Sequence, residues 1–120
     1  MPSRRLWLLS LMSICLSQAA FAQINPFRNS SGTPLNGDDM AALNQATVSL
    51  LERPQLAVGA TQTWSNSKSG ASGTITAGDP AQRKGLACRV LRYQNTVPGP
   101  NPTRNVVVTW CKTKDGWKIA

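Results

Sequence analysis

The chain contains no histidine. That absence removes Ser-His-Asp and Cys-His catalysis, histidine general bases and nearly every mixed zinc site. Acidic residues are almost as scarce: five Asp and Glu stand against thirteen Lys and Arg in 120 residues. Five carboxylates cannot fill an EF-hand and also balance a basic surface. No apolar stretch approaches the roughly 20 residues that a membrane-spanning helix needs. At this length the chain holds one small domain at most. Composition therefore argues against most small-enzyme designs. An address, an architecture and a formal charge of +8 remain to be read.

Residues 1–22 have the form of an export signal. Arg4 and Arg5 make a positive start, an apolar core follows with Trp7, Leu8, Leu9, Leu11, Met12 and Ile14, and Ala20-Phe21-Ala22 is a small-x-small cleavage site. The apolar core is about 11 residues, too short to cross ~30 Å of hydrocarbon as a helix, so cleavage before Gln23 is expected rather than retention as an anchor. Cys15 lacks the lipoprotein pattern, because Met12 and Ile14 stand where a leucine and a small residue are needed. Cleavage removes two of the thirteen basic residues and none of the five acids, which lowers the charge from +8 to +6. Two cysteines then remain, Cys88 and Cys111. In an exported chain such a pair favours one disulfide; a soft-metal site is the alternative, although zinc usually wants four ligands.

Residues 23–35, with Asn25-Pro26, Asn29-Ser30-Ser31-Gly32 and Pro34, read as a flexible linker with little to bury. A domain over residues 36–120 follows. Asn36 is a good N-cap, Asp38 and Asp39 put negative charge in the first helical turn, and Leu35 with Met40 forms a hydrophobic staple. Met40, Leu43, Thr47, Leu50 and Leu51 make one apolar stripe, and Pro54 ends the helix near Arg53. Strands are predicted over residues 57–64, 73–76, 86–96, 104–113 and 117–120. Ser65 to Gly70 and Ala77-Gly78-Asp79-Pro80 are predicted turns, residues 97–102 are a Pro-rich loop, and Asp115-Gly116 is a hairpin signal.

Pairing the two long strands symmetrically about Gly99-Pro100 makes opposing residue numbers sum to 199. Cys88 then meets Cys111, Val90 meets Thr109 and Arg92 meets Val107. Directly opposed antiparallel positions lie close enough for a disulfide. One face of this hairpin carries Ala87, Arg89, Leu91, Tyr93, Val106, Val108 and Trp110, joined by Trp117 and Ile119 if the last turn has two residues; it should receive the helix. The other, with Cys88, Val90, Arg92, Gln94, Val107, Thr109, Cys111, Thr113 and Lys118, should be wet. The fold class is thus α+β: a small antiparallel sheet, one N-terminal amphipathic helix packed on one face, and one disulfide.

The run from Trp64 through Asn66, Ser69-Gly70 and Ser72-Gly73 to Ile75 resembles the W-x-N-x-x-S-G-x-S-G-x-I/V segment of bacterial surface-antigen domains. Cys88-Arg89 and the ending from Trp110-Cys111 to Trp117-Lys118-Ile119 continue the pattern. Residues 38–120 resemble the C-terminal domain of the 17 kDa surface antigen family. The resemblance implies an exported envelope protein with a small helix-plus-sheet domain, and it implies no reaction. The chain lacks the lipobox and the glycine-zipper segment of longer members, which favours a periplasmic or secreted location over outer-membrane anchoring.

Each candidate site has a structural reading beside its functional one. Arg89, opposite Trp110, is either an anion-binding arginine or, as favoured here, a buried clamp with Trp110, Trp117 and a carboxylate such as Asp115; Asp79, Glu52 and the terminal carboxylate of Ala120 are the other partners. Trp64, Trp110 and Trp117 could stack on sugars or bases, but Trp110 and Trp117 belong on the core face, leaving Trp64 as the candidate for exposure. Lys68-Ser69-Gly70-Ala71-Ser72-Gly73 lacks P-loop spacing and reads as a hairpin. Lys68, Arg92, Lys112, Lys114 and Lys118, with Trp64, are candidate binding residues, since such a basic surface attracts polyanions. Envelope polyanions are lipopolysaccharide and anionic lipid; no specific nucleic acid, metal or cofactor is expected, and no membrane span in the mature chain. The leading function is a non-enzymatic interaction or structural domain of the cell envelope. A small binding or inhibitory module for another exported protein, using Trp64 and the 97–102 loop, is the alternative. A carboxylate hydrolase would need Asp79, Asp115 or Glu52 to converge with a raised pKa.

Overall fold

Among the described residues one helix, α1 (Gly37–Leu51), precedes five strands: β1 (Thr61–Asn66), β2 (Ala71–Arg83), β3 (Leu86–Thr96), β4 (Thr103–Thr113) and β5 (Gly116–Ile119). The structure is a computed structural model and describes residues 26–27, 34–100 and 102–120. The expected signal segment, Cys15 and most of the expected linker lie outside the described residues.

Asn36 caps α1 as its sequence implies, accepting from the Asp39 amide at 2.7 Å while the Asp39 carboxylate accepts from the Asn36 amide at 3.0 Å. The helix ends at Leu51 with Glu52 as C-cap, two residues before Pro54. Its buried positions are Asp39, Leu43, Ala46, Thr47, Leu50 and Leu51, a stripe at helical spacing.

The strands form one antiparallel sheet in the order β1-β2-β3-β4-β5. The β3–β4 register matches the expectation throughout: Cys88 faces Cys111, Arg89 faces Trp110, Val90 faces Thr109 and Arg92 faces Val107. Alternation then assigns the faces. Ile75, Ala77, Leu91, Tyr93, Val108 and Trp110 are buried on the side that meets α1, and Thr63, Thr74, Gln94 and Asn105 share the opposite side.

Four expectations are corrected. The first strand begins at Thr61, not residue 57. The predicted short strand and turn over residues 73–80 are one 13-residue strand, β2. Gly78 and Asp79 together oppose Val90, which makes a β-bulge that absorbs the glycine and the proline without a reversal. The reversal occurs at Lys84-Gly85, where both residues take positive φ, 51° and 77°, as a tight hairpin demands. The last turn is Lys114-Asp115, since Thr113 pairs with Gly116. The turn sits one residue earlier than the Asp115-Gly116 reading, so each cross-strand partner moves by two residues (Trp117 faces Lys112, not Lys114) and parity is kept; Trp117 and Ile119 still share the side of Trp110. Finally, the 23–35 segment does bury a side chain: Phe27 lies in the core, edge-on to Tyr93 with ring centroids 4.9 Å apart.

Candidate functional site

The surface-antigen-like segment is the joint between helix and sheet. Trp64 and Gly73 are cross-strand partners, and the indole nitrogen of Trp64 donates to the Asn95 side-chain oxygen at 3.0 Å, over Gly73. Trp64 is buried, against the expectation of exposure. The reason is Gly73: with no side chain there, the indole reaches across β2 to β3, and a Cβ at 73 would overlap Trp64 and Asn95. In the turn that follows β1, Asn66 Nδ2 and Ser69 Oγ both donate to Asp39 Oδ1, at 2.8 and 2.6 Å. The Ser69 hydroxyl also accepts from the Ala71 amide. Gly70 takes φ 77° to close the turn.

Asp39 therefore does more than cap its helix. Burial pushes its carboxyl up, but hydrogen bonds from Ser69, Asn36 and Asn66 outweigh that and hold it below the ordinary carboxylate value. Its sequence position implies only favourable charge in the first helical turn. The available signal was Asn66 and Ser69, two short polar side chains in one turn with a buried acceptor to find.

A second polar junction lies deeper. Tyr93 OH is 2.7 Å from Thr47 Oγ1 on α1 and accepts from Trp110 Nε1 on β4 at 3.0 Å. Burial pushes the phenol up to about 12, against the opposing effect of those two hydrogen bonds. At the helix end Trp117 Nε1 donates to Glu52 Oε1 at 3.2 Å. Trp110 and Trp117 thus tie β4 and β5 to the helix.

Arg89 has a carbonyl partner in place of the expected carboxylate. Its Nε donates to Gly78 O at 2.8 Å, a main-chain acceptor at the bulge. Asp115 is exposed in the last turn, where its amide bonds Thr113 Oγ1 at 3.2 Å. It takes no part in an Arg89 clamp. Glu52, Asp79 and Asp115 are each exposed, on the helix cap, the bulge and the β4–β5 turn. Among the described residues no group of three Cys, Asp or Glu could hold a metal ion. Cys88 and Cys111 are joined, with Cα atoms 4.0 Å apart.

Antiparallel order divides the candidate cations between the two ends of the sheet. The β2–β3 and β4–β5 turns share one end, bringing Arg83 and Lys84 to the same end as Lys112 and Lys114. Lys68, in the β1–β2 turn, lies at the other end beside residues 97–100. Lys112 Nζ stands 6.0 Å from the Trp117 ring centroid. Arg92 and Lys118 are on the outer sheet face. That face has a shallow hollow of about 430 Å³ over Thr63, Ser65, Ser72, Thr74, Gln94 and Thr96. A second hollow, of about 330 Å³, lies by Arg92, Gln94, Asn105 and Val107.

No helix among the described residues is long and apolar enough to cross a membrane. No curated protein and no solved structure matches the chain. Residues 54–118 match the family described as 17 kDa outer membrane surface antigen. The match takes in the Trp64 segment, both cysteines and the Trp117 ending. With more than half of its length matched, the chain belongs to the 17 kDa outer membrane surface antigen family and is an exported protein of the cell envelope.

Proposed function

We propose that the domain is a non-enzymatic interaction module of the envelope whose basic sheet end holds anionic polymers or lipid headgroups, lipopolysaccharide phosphates among them. The observation that carries this reading is the pairing of two hairpin turns at one end of the sheet, with exposed Arg83 and Lys84 on one and Lys112 and Lys114 on the other. Lys118 adds charge on the outer face. Long-range attraction of this kind needs no preformed cavity, and salt screens it. The buried Trp64 segment holds the helix on the sheet and is not part of the contact surface. The module acts in the periplasm or at the outer membrane.

Retention on lipopolysaccharide and heparin resins tests the reading. The protein should elute at a salt concentration that falls clearly when Lys112→Glu and Lys114→Glu are combined. Lys68→Glu, at the opposite end, should change it little. Equal retention of the double variant, with unchanged circular dichroism, overturns the assignment.

A further inference from the structure

The sheet is open, and its margins are not treated alike. On β1, Arg53 Nη2 caps the Thr61 carbonyl at 2.8 Å. Where β2 runs on past β1, Gly59 and Ala60 bond Ala77, and the bulge at Gly78-Asp79, then Pro80 and exposed Arg83, follow. A bulge, a proline and charge are the usual devices that stop a sheet edge from adding a strand.

Over residues 103–108 the outer margin of β4 has no bulge and no proline, and its one charge, Arg104, is buried on the inner face rather than set along the edge. β5 pairs only with residues 110–113, and the Ala120 amide reaches Thr109 O. Thr109, Cys111 and Thr113 therefore direct their main-chain groups toward β5, and by alternation Asn105 and Val107 direct theirs beyond its end. Among the described residues no strand pairs with that stretch. Residues 103–108 read Thr-Arg-Asn-Val-Val-Val, rich in β-branched side chains and free of proline, lysine and glycine. Their pairing with β3 runs without a bulge. Val107 is 62% exposed on the outer face, beside Arg92 and the 330 Å³ hollow.

We propose that the outer edge of β4 over residues 103–108 is a strand-addition site for an extended peptide segment with acidic side chains at alternate positions. Main-chain groups of Asn105 and Val107 supply the pairing. Charge selects the sequence: exposed Arg92 faces Val107 on the outer face beside this edge, and no acidic residue lies between positions 80 and 114. A carboxylate on the outer face of the added strand lies two strand spacings, about 10 Å, from the Arg92 backbone, a gap that the two side chains close across Val107. This edge is separate from the basic sheet end, so either assignment stands or falls without the other.

The probe is a short synthetic peptide alternating threonine and glutamate, followed by nuclear magnetic resonance of the protein's amides. Exchange at Asn105 and Val107 should be fast in the free protein and slow at least about tenfold with the peptide. A lysine version and a backbone N-methylated version should leave it unchanged. Arg92→Gln should weaken the glutamate peptide while near-ultraviolet circular dichroism stays the same. The proposal is overturned if the Asn105 and Val107 amides are already protected without peptide. It is equally overturned if glutamate and lysine peptides act alike, if only Lys112 to Lys118 respond, or if protection rises with protein concentration alone, which identifies the occupant as a second copy.

Discussion

Trp64 and Gly73 face each other across β1 and β2, and the indole fills the space that a side chain at 73 would take. Its nitrogen reaches Asn95 on β3 through that gap. Gly73→Ala forces the indole from its site and breaks the bond. The expected loss is about 2–3 kcal/mol, combining overpacking with an unsatisfied buried donor. Urea unfolding followed by tryptophan fluorescence should show a lower midpoint with an unchanged slope. An unaltered midpoint refutes the role given to Gly73.

Asp39 makes the stability pH-dependent on the acid side. Its native value lies below the ordinary 3.8, so its contribution is complete above that value and is lost as pH falls through the lower, native one. Asp39→Ala should lower stability by about 1–3 kcal/mol at neutral pH and flatten the acid limb of the curve. Ser69→Ala should give a smaller loss with the same sign. Measured midpoints from neutral to strongly acid pH decide it, and parallel curves for wild type and Asp39→Ala count against the carboxylate network.

Tyr93 acts at the opposite end of the scale. A phenol at about 12 in the native state ionises after its unfolded counterpart at 10.0. Its contribution is complete below the unfolded value and is lost as pH rises between the two. It is the single tyrosine of the chain, so phenolate absorbance reports it alone. Titration should show a late transition that moves down on denaturation. Tyr93→Phe should cost about 1–3 kcal/mol by removing the partner that Thr47 and Trp110 share.

The Cys88–Cys111 bond closes a loop of sequence separation 23. Its removal as a paired Cys88→Ala and Cys111→Ala variant should cost about 3 kcal/mol in the chain-entropy picture. In a domain whose net stability is on the order of 5 kcal/mol, the thermal midpoint of the variant should fall steeply. A midpoint that barely moves would show that β3 and β4 need no staple.

Local chemistry made much of the fold legible. Asn36, Leu35 and Met40 announce the helix start, and alternation over residues 86–96 and 104–113 places every β3–β4 pair. Where the reading failed, a local signal had two meanings. Gly78-Asp79-Pro80 is turn chemistry in isolation, yet Val90 across the sheet and the carbonyl that Arg89 grips make it a bulge within a strand. Lys84-Gly85 is a weaker turn signal, but it sits where β2 and β3 must reverse.

From its amino acids alone this protein declares a capped helix, a hairpin in a defined register and two cysteines placed to meet, because caps, alternation and opposed positions depend on neighbours along the chain or on one symmetric pairing. Tertiary structure alone decided that Trp64 is buried, that Asp39 receives Asn66 and Ser69, and that, among the described residues, β5 pairs with only the last part of β4. Those outcomes depend on which distant surfaces meet. Asp39 and Ser69 lie 30 residues apart, and no periodicity within either segment names the other as its partner.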